Sequence, residues 1–219
     1  MTGQASDDTA RIHEIFQRIQ AAASNWYPTA LSYFKDQPFK ALIAGMLSAR
    51  TREEDTLAAC ENLFQLAANP DDMLELTAEQ IRGAIARVTY HETKAERIPK
   101  ICQRLVENDG QVPRTVDELI EFEGVGWKVA TLTLLIAYGI DEDIPVDVHV
   151  ARIGKRMGLV NPETKQPQKV NAELKQKLPR AYWAAWNPLM VQFGREVCKP
   201  TYPQCRRCLV REFCPRIGV

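Results

Sequence analysis

The sequence predicts an all-α protein, and three observations predict it. Apolar residues recur at helical spacing along most of the chain. Capping signatures stand ahead of several of those runs. A single short stretch, Asp143 to Val150, alternates as a strand would, and no second stretch offers it a partner.

The elements follow in order, with boundaries set by caps and breakers. Ile12, Ile15, Phe16 and Ile19 form one face of a helix over 8–23. Pro38 suits the first turn of a helix over 38–49. Three Thr-x-x-Glu/Gln pairs read as capping boxes: Thr51 with Glu54, Thr77 with Gln80, and Thr115 with Glu118. They open helices over 52–68, 78–87 and 115–122, and Pro70 and Pro179 suit further first turns or breaks. Ile98, Ile101, Cys102 and Leu105 make the core stripe of a helix over 92–108. After Gly124-Val125-Gly126 comes a helix over 127–138, apolar almost throughout. The alternating Asp143–Val150 stretch also carries a helix face, Val146, Val150, Ile153 and Met157. It is therefore read as an extended entry through Pro145 into a helix over 148–158 capped by Asp147. A loop over 158–167 precedes helices over 168–178 and 180–194.

Bulk properties narrow the function classes. With 45% hydrophobic and 26% charged residues, a disordered or collagen-like chain is excluded. The longest apolar run, Val129 to Ile140, is about 12 residues against the roughly 20 needed to span a bilayer, so it reads as a core helix and no membrane is expected. The N-terminal "MTGQASDDTARIHEIF" lacks a basic stretch followed by an apolar one, so no signal peptide is read and the cytosol is expected. Formal net charge is zero, but from Arg195 onward six basic residues face two acidic ones. That basic end could meet phosphate.

Two local constellations carry chemistry. Cys198-x6-Cys205-x2-Cys208-x5-Cys214 gathers four thiolate ligands that can surround one tetrahedral centre. Spacing leaves zinc and a 4Fe–4S cluster both open, and the ligands enclose Arg206, Arg207 and Arg211. Cys60 and Cys102 lie on helix core faces and read as plain buried thiols. The second constellation is "EFEGVGWKVATL". Gly124 and Gly126 permit a tight turn, and the next helix begins with unpaired amides, which suits one phosphate. Lys128 is the only charged residue from Gly126 to Ile140. The helix dipole and partial burial disfavour an ammonium there and favour the nucleophilic amine. A lysine that merely pairs with phosphate is the alternative.

"FEGVGWKVA", "IPVDVHVARIGKRMGL" and the terminal cysteines, in that order, resemble the endonuclease III family; "PFKALIAGMLSART" and "HETKAERI" are also similar to its early segments. The resemblance covers roughly residues 10 to 215. It implies two helical lobes flanking a DNA-binding cleft. Residues 30–145 would form the lobe with the helix–hairpin–helix. Residues 1–29 and 146–219 would form the second, with the cluster loop at 198–214. It implies a base-excision DNA glycosylase with lyase activity toward damaged, oxidised pyrimidines in double-stranded DNA. Lys128 matches the family's nucleophile and Asp147 its catalytic aspartate. Cys198, Cys205, Cys208 and Cys214 match the ligands of a 4Fe–4S cluster, with zinc as the alternative. Gly124, Val125 and Gly126 would grip DNA, Arg50 and Tyr90 would fill the gap left by an extruded nucleotide, and His149 would support the site or contact phosphate. A cytoplasmic, nucleoid-associated monomer of bacterial or archaeal type is expected. The chain departs from the family at Arg50, Glu123, Trp127 and Val129, where Gln, Pro, Arg or His, and Thr are respectively common.

Overall fold

The computed structural model describes residues 2–219, with side chains from residue 8 onward. The chain forms two compact units, one of residues 30–140 and one of Met1–Thr29 with Asp141–Val219.

The central unit is built around α8 (Trp127–Tyr138), which packs on α2 (Pro38–Ser48). Both are apolar nearly all round, so both are interior helices rather than amphipathic surface ones. In α2 every residue from Ala41 to Leu47 is buried. Around this pair lie α3 (Glu53–Leu66), α4 (Pro70–Leu74), α5 (Ala78–Ala84), α6 (His91–Val106) and α7 (Val116–Leu119). In α6, Ile98, Ile101, Cys102 and Leu105 are at most 1% exposed, as their spacing predicts. Burying a side chain of this kind stabilises by about 1.5–3 kcal/mol. The stripe therefore fixes which face of α6 turns inward.

The caps came out unevenly. Thr77 and Gln80 form the full reciprocal box. Thr115 accepts from the Glu118 amide, but the Glu118 carboxylate turns to the Thr115 hydroxyl rather than to its amide. Thr51 caps nothing: α3 starts one residue later, with Arg52 at the cap position and no side-chain bond. The Thr51 hydroxyl is engaged instead by the Thr89 amide and Lys94 Nζ. Tertiary partners have outcompeted the local cap. Pro70 stands in the first turn of the short α4, as read, but α4 and a 3-10 turn at Ala30–Phe34 fall outside the predicted helices, because neither is long enough to show a period. The helices predicted over 78–87 and 115–122 end early, at Ala84 and Leu119.

In the other unit, α1 (Thr2–Ala23) buries Ile12, Ile15, Phe16 and Ile19. It meets α11 (Trp183–Glu196), whose Trp186, Met190 and Phe193 are fully buried. Phe16 stacks on Tyr182 at 3.9 Å between centroids. Arg11 donates to Met157 O and Phe213 O, so the first helix is tied to the C-terminal end. Between them come α9 (Val148–Arg156) and α10 (Pro167–Lys177). The last predicted helix begins as a 3-10 turn, Arg180–Tyr182, before α11. Among the described residues no helix is long and apolar enough to cross a membrane.

Candidate active site and cysteine cluster

In the central unit the turn Gly124–Gly126 leads directly into α8, with Gly126 at the cap position and Lys128 second in the helix. Gly124 has φ +90°, a conformation that only glycine adopts at low cost. Val125 turns inward: its side chain is buried and its amide donates to Phe122 O at 3.0 Å. Val125 thus anchors the turn and offers no side chain to a ligand. The remaining first-turn amides of α8 have no acceptor within the helix, as at any helix start.

Glu123 would repel a phosphate if it stood alone. It does not: Lys100 Nζ lies 2.8 Å from its carboxylate and Arg97 Nε 3.4 Å. These α6 cations, through the hydrogen bond from Lys100 first, hold its pKa below the ordinary carboxylate range. Two cations meet one carboxylate beside the hairpin, and the local balance is positive.

Lys128 is half-buried, and its Nζ donates to Ser48 Oγ at 3.1 Å. Ser48 is the last residue of α2, and its own hydroxyl donates back to Gly45 O at 2.8 Å. The serine therefore presents a lone pair, not a proton, to the lysine. Two residues on, Arg50 has φ +57°, and Tyr90 has φ +60°. Neither is a glycine, so both conformations cost energy. They bring the pair together: Arg50 Nη1 donates to Tyr90 Oη at 3.3 Å, and both side chains are exposed.

In the other unit Asp147, with extended backbone at φ −110° and ψ −172°, caps α9, as predicted. Its Oδ1 accepts from the amides of His149 and Val150 at 2.9 and 2.8 Å, and Oδ2 receives neither. His149 is half-buried against Gly194 of α11, and Arg152 Nη2 lies 3.2 Å from its Nδ1. A guanidinium can only donate, so Nδ1 accepts and Nε2 carries the proton of a neutral ring.

Sequence reasoning missed Arg152 and Arg156, one turn apart on α9. Arg152 donates to Cys198 O, and Arg156 donates to Lys199 O, Pro200 O and Cys198 Sγ. The helix that Asp147 caps therefore also grips the start of the cysteine loop. The signal was present as an i, i+4 arginine pair in "VHVARIGKR", but only the fold shows what it faces.

All four cysteines of that loop line one cavity, with Phe193, Val197 and Val210 among its apolar walls. Burial, and after it the neighbouring thiolates, push the Cys208 and Cys214 thiols up. Cysteines so placed could hold a metal centre, whose positive charge would stabilise the thiolate forms. Among the described residues no three His, Cys, Asp or Glu side chains are grouped to hold a single metal ion. Cys60 and Cys102 are fully buried in the central unit, their thiols pushed up to about 12 by desolvation.

Residues 43–180 match the family model of the HhH-GPD superfamily of base excision DNA repair proteins. Endonuclease III of Thermotoga maritima is 37% identical over 178 residues, which is 81% of this chain and 82% of that protein. The chloroplastic endonuclease III homologue 2 of Arabidopsis thaliana is 38% identical over 190 residues, 83% of this chain but 49% of the longer plant protein. A solved structure of a trapped covalent endonuclease III–DNA intermediate superposes with a TM-score of 0.84 at 28% identity, covering 95% of this chain and 96% of the other. The chain therefore belongs to the HhH-GPD superfamily of base excision DNA repair proteins and, within it, to the endonuclease III family.

Proposed function

We propose that this protein is a DNA glycosylase that removes damaged pyrimidines, oxidised ones foremost, and cleaves the resulting abasic site through a Schiff base on Lys128. The observation that carries this reading is the setting of Lys128: second in α8, directly behind the glycine turn, its amine held on Ser48 Oγ.

A base inside duplex DNA cannot be reached, so the nucleotide must be extruded, at a cost of a few kcal/mol that is least for a badly pairing base. The turn before α8 receives a backbone phosphate on its amides, and Arg50 with Tyr90 fills the vacated stack. The amine lone pair of Lys128 attacks C1′. The glycosidic bond breaks, and the base leaves with the bonding pair and takes up a proton. Opening of the C1′–O4′ bond gives the imine. Loss of a C2′ proton then expels the 3′ phosphate, and water releases the lysine. Asp147 carries the carboxylate role: it takes a proton from the amine or stabilises positive charge developing on the sugar. Its second oxygen is the one available for this, because Oδ1 already accepts two amides.

The cysteine loop fits a 4Fe–4S cluster better than zinc. Cys198, Cys205, Cys208 and Cys214 line one cavity, and their order and spacing match the cluster ligands of the endonuclease III family, which supports the cluster. Cys198, Cys205, Cys208 and Cys214 would hold it, and its contribution would be to fix the loop. Exposed Arg206, Arg207 and Arg211 would then meet the DNA backbone. We place the protein at the nucleoid as a monomer.

The test uses a duplex carrying one oxidised pyrimidine. Base release and strand cleavage are expected from the wild type, and loss of both from Lys128→Gln. Unchanged cleavage by Lys128→Gln would refute the reading.

A further inference from the structure

Lys94 is a charged side chain that the reaction above does not use. It lies in the first turn of α6 and is only 5% exposed. Its Nζ donates to Leu47 O at 2.8 Å, to Ala49 O at 2.8 Å and to Thr51 Oγ1 at 3.4 Å. Those are all three donors of an ammonium, so the group is fully satisfied. The two carbonyls lie on either side of Ser48, at the C-terminal end of α2, where carbonyls lack helical partners and a cation is favoured.

We propose that Lys94 is a positioning residue for the Lys128 amine, acting through Ser48. By fixing the carbonyls of Leu47 and Ala49 it fixes the Ser48 backbone between them. The Ser48 hydroxyl, committed to Gly45 O, then presents its lone pair to Lys128 Nζ. Without the clamp the end of α2 is free to fray, and the nucleophile loses the acceptor that aims it. Burial first, then the cations of Lys128 and Arg97, pull Lys94 down to about 8, which agrees with a buried group that acts close to Lys128. The alternative is that Lys94 merely satisfies the helix end for stability. That role would move unfolding but not the aim of the amine.

This proposal rests on Lys128 being the nucleophile, and the experiment separates the two. Borohydride trapping on an abasic duplex is followed under single-turnover conditions for the wild type, Lys94→Met, Ser48→Ala, the double variant and Lys128→Gln. Affinity for an uncleavable tetrahydrofuran duplex is measured beside it. Misplacing a reacting group by about 1 Å costs about 100-fold in rate. Lys94→Met is therefore expected to trap roughly 10- to 100-fold more slowly, with affinity unchanged within about threefold. Ser48→Ala should slow trapping comparably, and the double variant should be no slower than the slower single one, because both act along one path. If Lys94→Met fails to fold, Ser48→Ala still decides: trapping at the wild-type rate overturns the proposal. So do full-rate trapping by Lys94→Met and multiplicative losses in the double variant. Trapping by Lys128→Gln at the wild-type rate would instead overturn the nucleophile assignment.

Discussion

Gly126→Ala separates a glycine kept for the fold from a glycine kept for a ligand. At Gly126 the backbone has φ −94° and ψ 175°, an extended conformation open to any residue. A Cβ there would meet no atom within 4 Å. Alanine restricts the unfolded chain and so gains about 0.4–1 kcal/mol. It is a poorer helix cap than glycine, by roughly half a kcal/mol or somewhat more. The two terms nearly cancel, and stability should change by no more than about 0.5 kcal/mol. The neighbouring Gly124 is the contrast. Its φ is +90°, and a Cβ would lie 2.7 Å from Arg97 Cδ, so Gly124→Ala should cost about 1–3 kcal/mol. If the turn grips a phosphate, a methyl at Gly126 stands where the phosphate approaches the amides. Losing one charge-assisted hydrogen bond costs about 1.5–3 kcal/mol, or roughly 10- to 100-fold in Kd. Urea unfolding and fluorescence anisotropy with a tetrahydrofuran duplex measure the two quantities. The expected result for Gly126→Ala is unchanged stability with weakened binding. Destabilisation above about 2 kcal/mol with unchanged affinity would refute the reasoning, because the glycine would then serve the fold.

Other outcomes follow from the same structure. Asn caps a helix as well as Asp; Asp147→Asn should therefore unfold within about 0.5 kcal/mol of wild type yet lose about 100-fold or more in rate, and a fully active variant would reduce Asp147 to a cap. Purified protein should be brown, with about four irons lost on Cys208→Ser; zinc in place of iron in active protein would contradict the cluster. Cys60 and Cys102, with thiols pushed to about 12, should resist alkylation at pH 8 until the chain unfolds, and rapid native labelling of either would contradict their burial. Lys94 titrates near 8 when folded against 10.5 when unfolded. Between those values the unfolded chain holds more protons, so this group's unfavourable contribution, complete below pH 8, is relieved as pH rises. Wild type should gain up to about 3 kcal/mol over Lys94→Met from pH 7 to 10.5 in urea unfolding, and a flat difference would contradict a buried ammonium.

The parts of the fold legible in the sequence are those settled by local physics. The stripe in α1, the run of α8 from Trp127 to Tyr138 and the Asp147 cap depend on periodicity, an uninterrupted apolar run and one side chain reaching two amides. Thr51 was misread because its hydroxyl answers to Lys94 and Thr89, nearly 40 residues away or more. No window on the sequence contains that competition. The same applies to the candidate site. Lys128 stands out as a lone charge, but Ser48 and Lys94 do not, since an ordinary serine and an ordinary lysine acquire meaning only when α2, α6 and α8 meet. Glu123 shows in the sequence only as a departure from the family pattern, and the pairing with Arg97 and Lys100 that neutralises it appears only in the fold. The side chain of Val125, in the turn read as gripping DNA, faces the core.

The central claim is that the Lys128 amine is the covalent nucleophile. Borohydride trapping on an abasic duplex, followed by digestion and mass-spectrometric mapping of the adduct, tests it most directly. The account predicts a single reduced adduct on Lys128 and none with Lys128→Gln. An adduct on another lysine, Lys94 included, or undiminished trapping by Lys128→Gln, would contradict it.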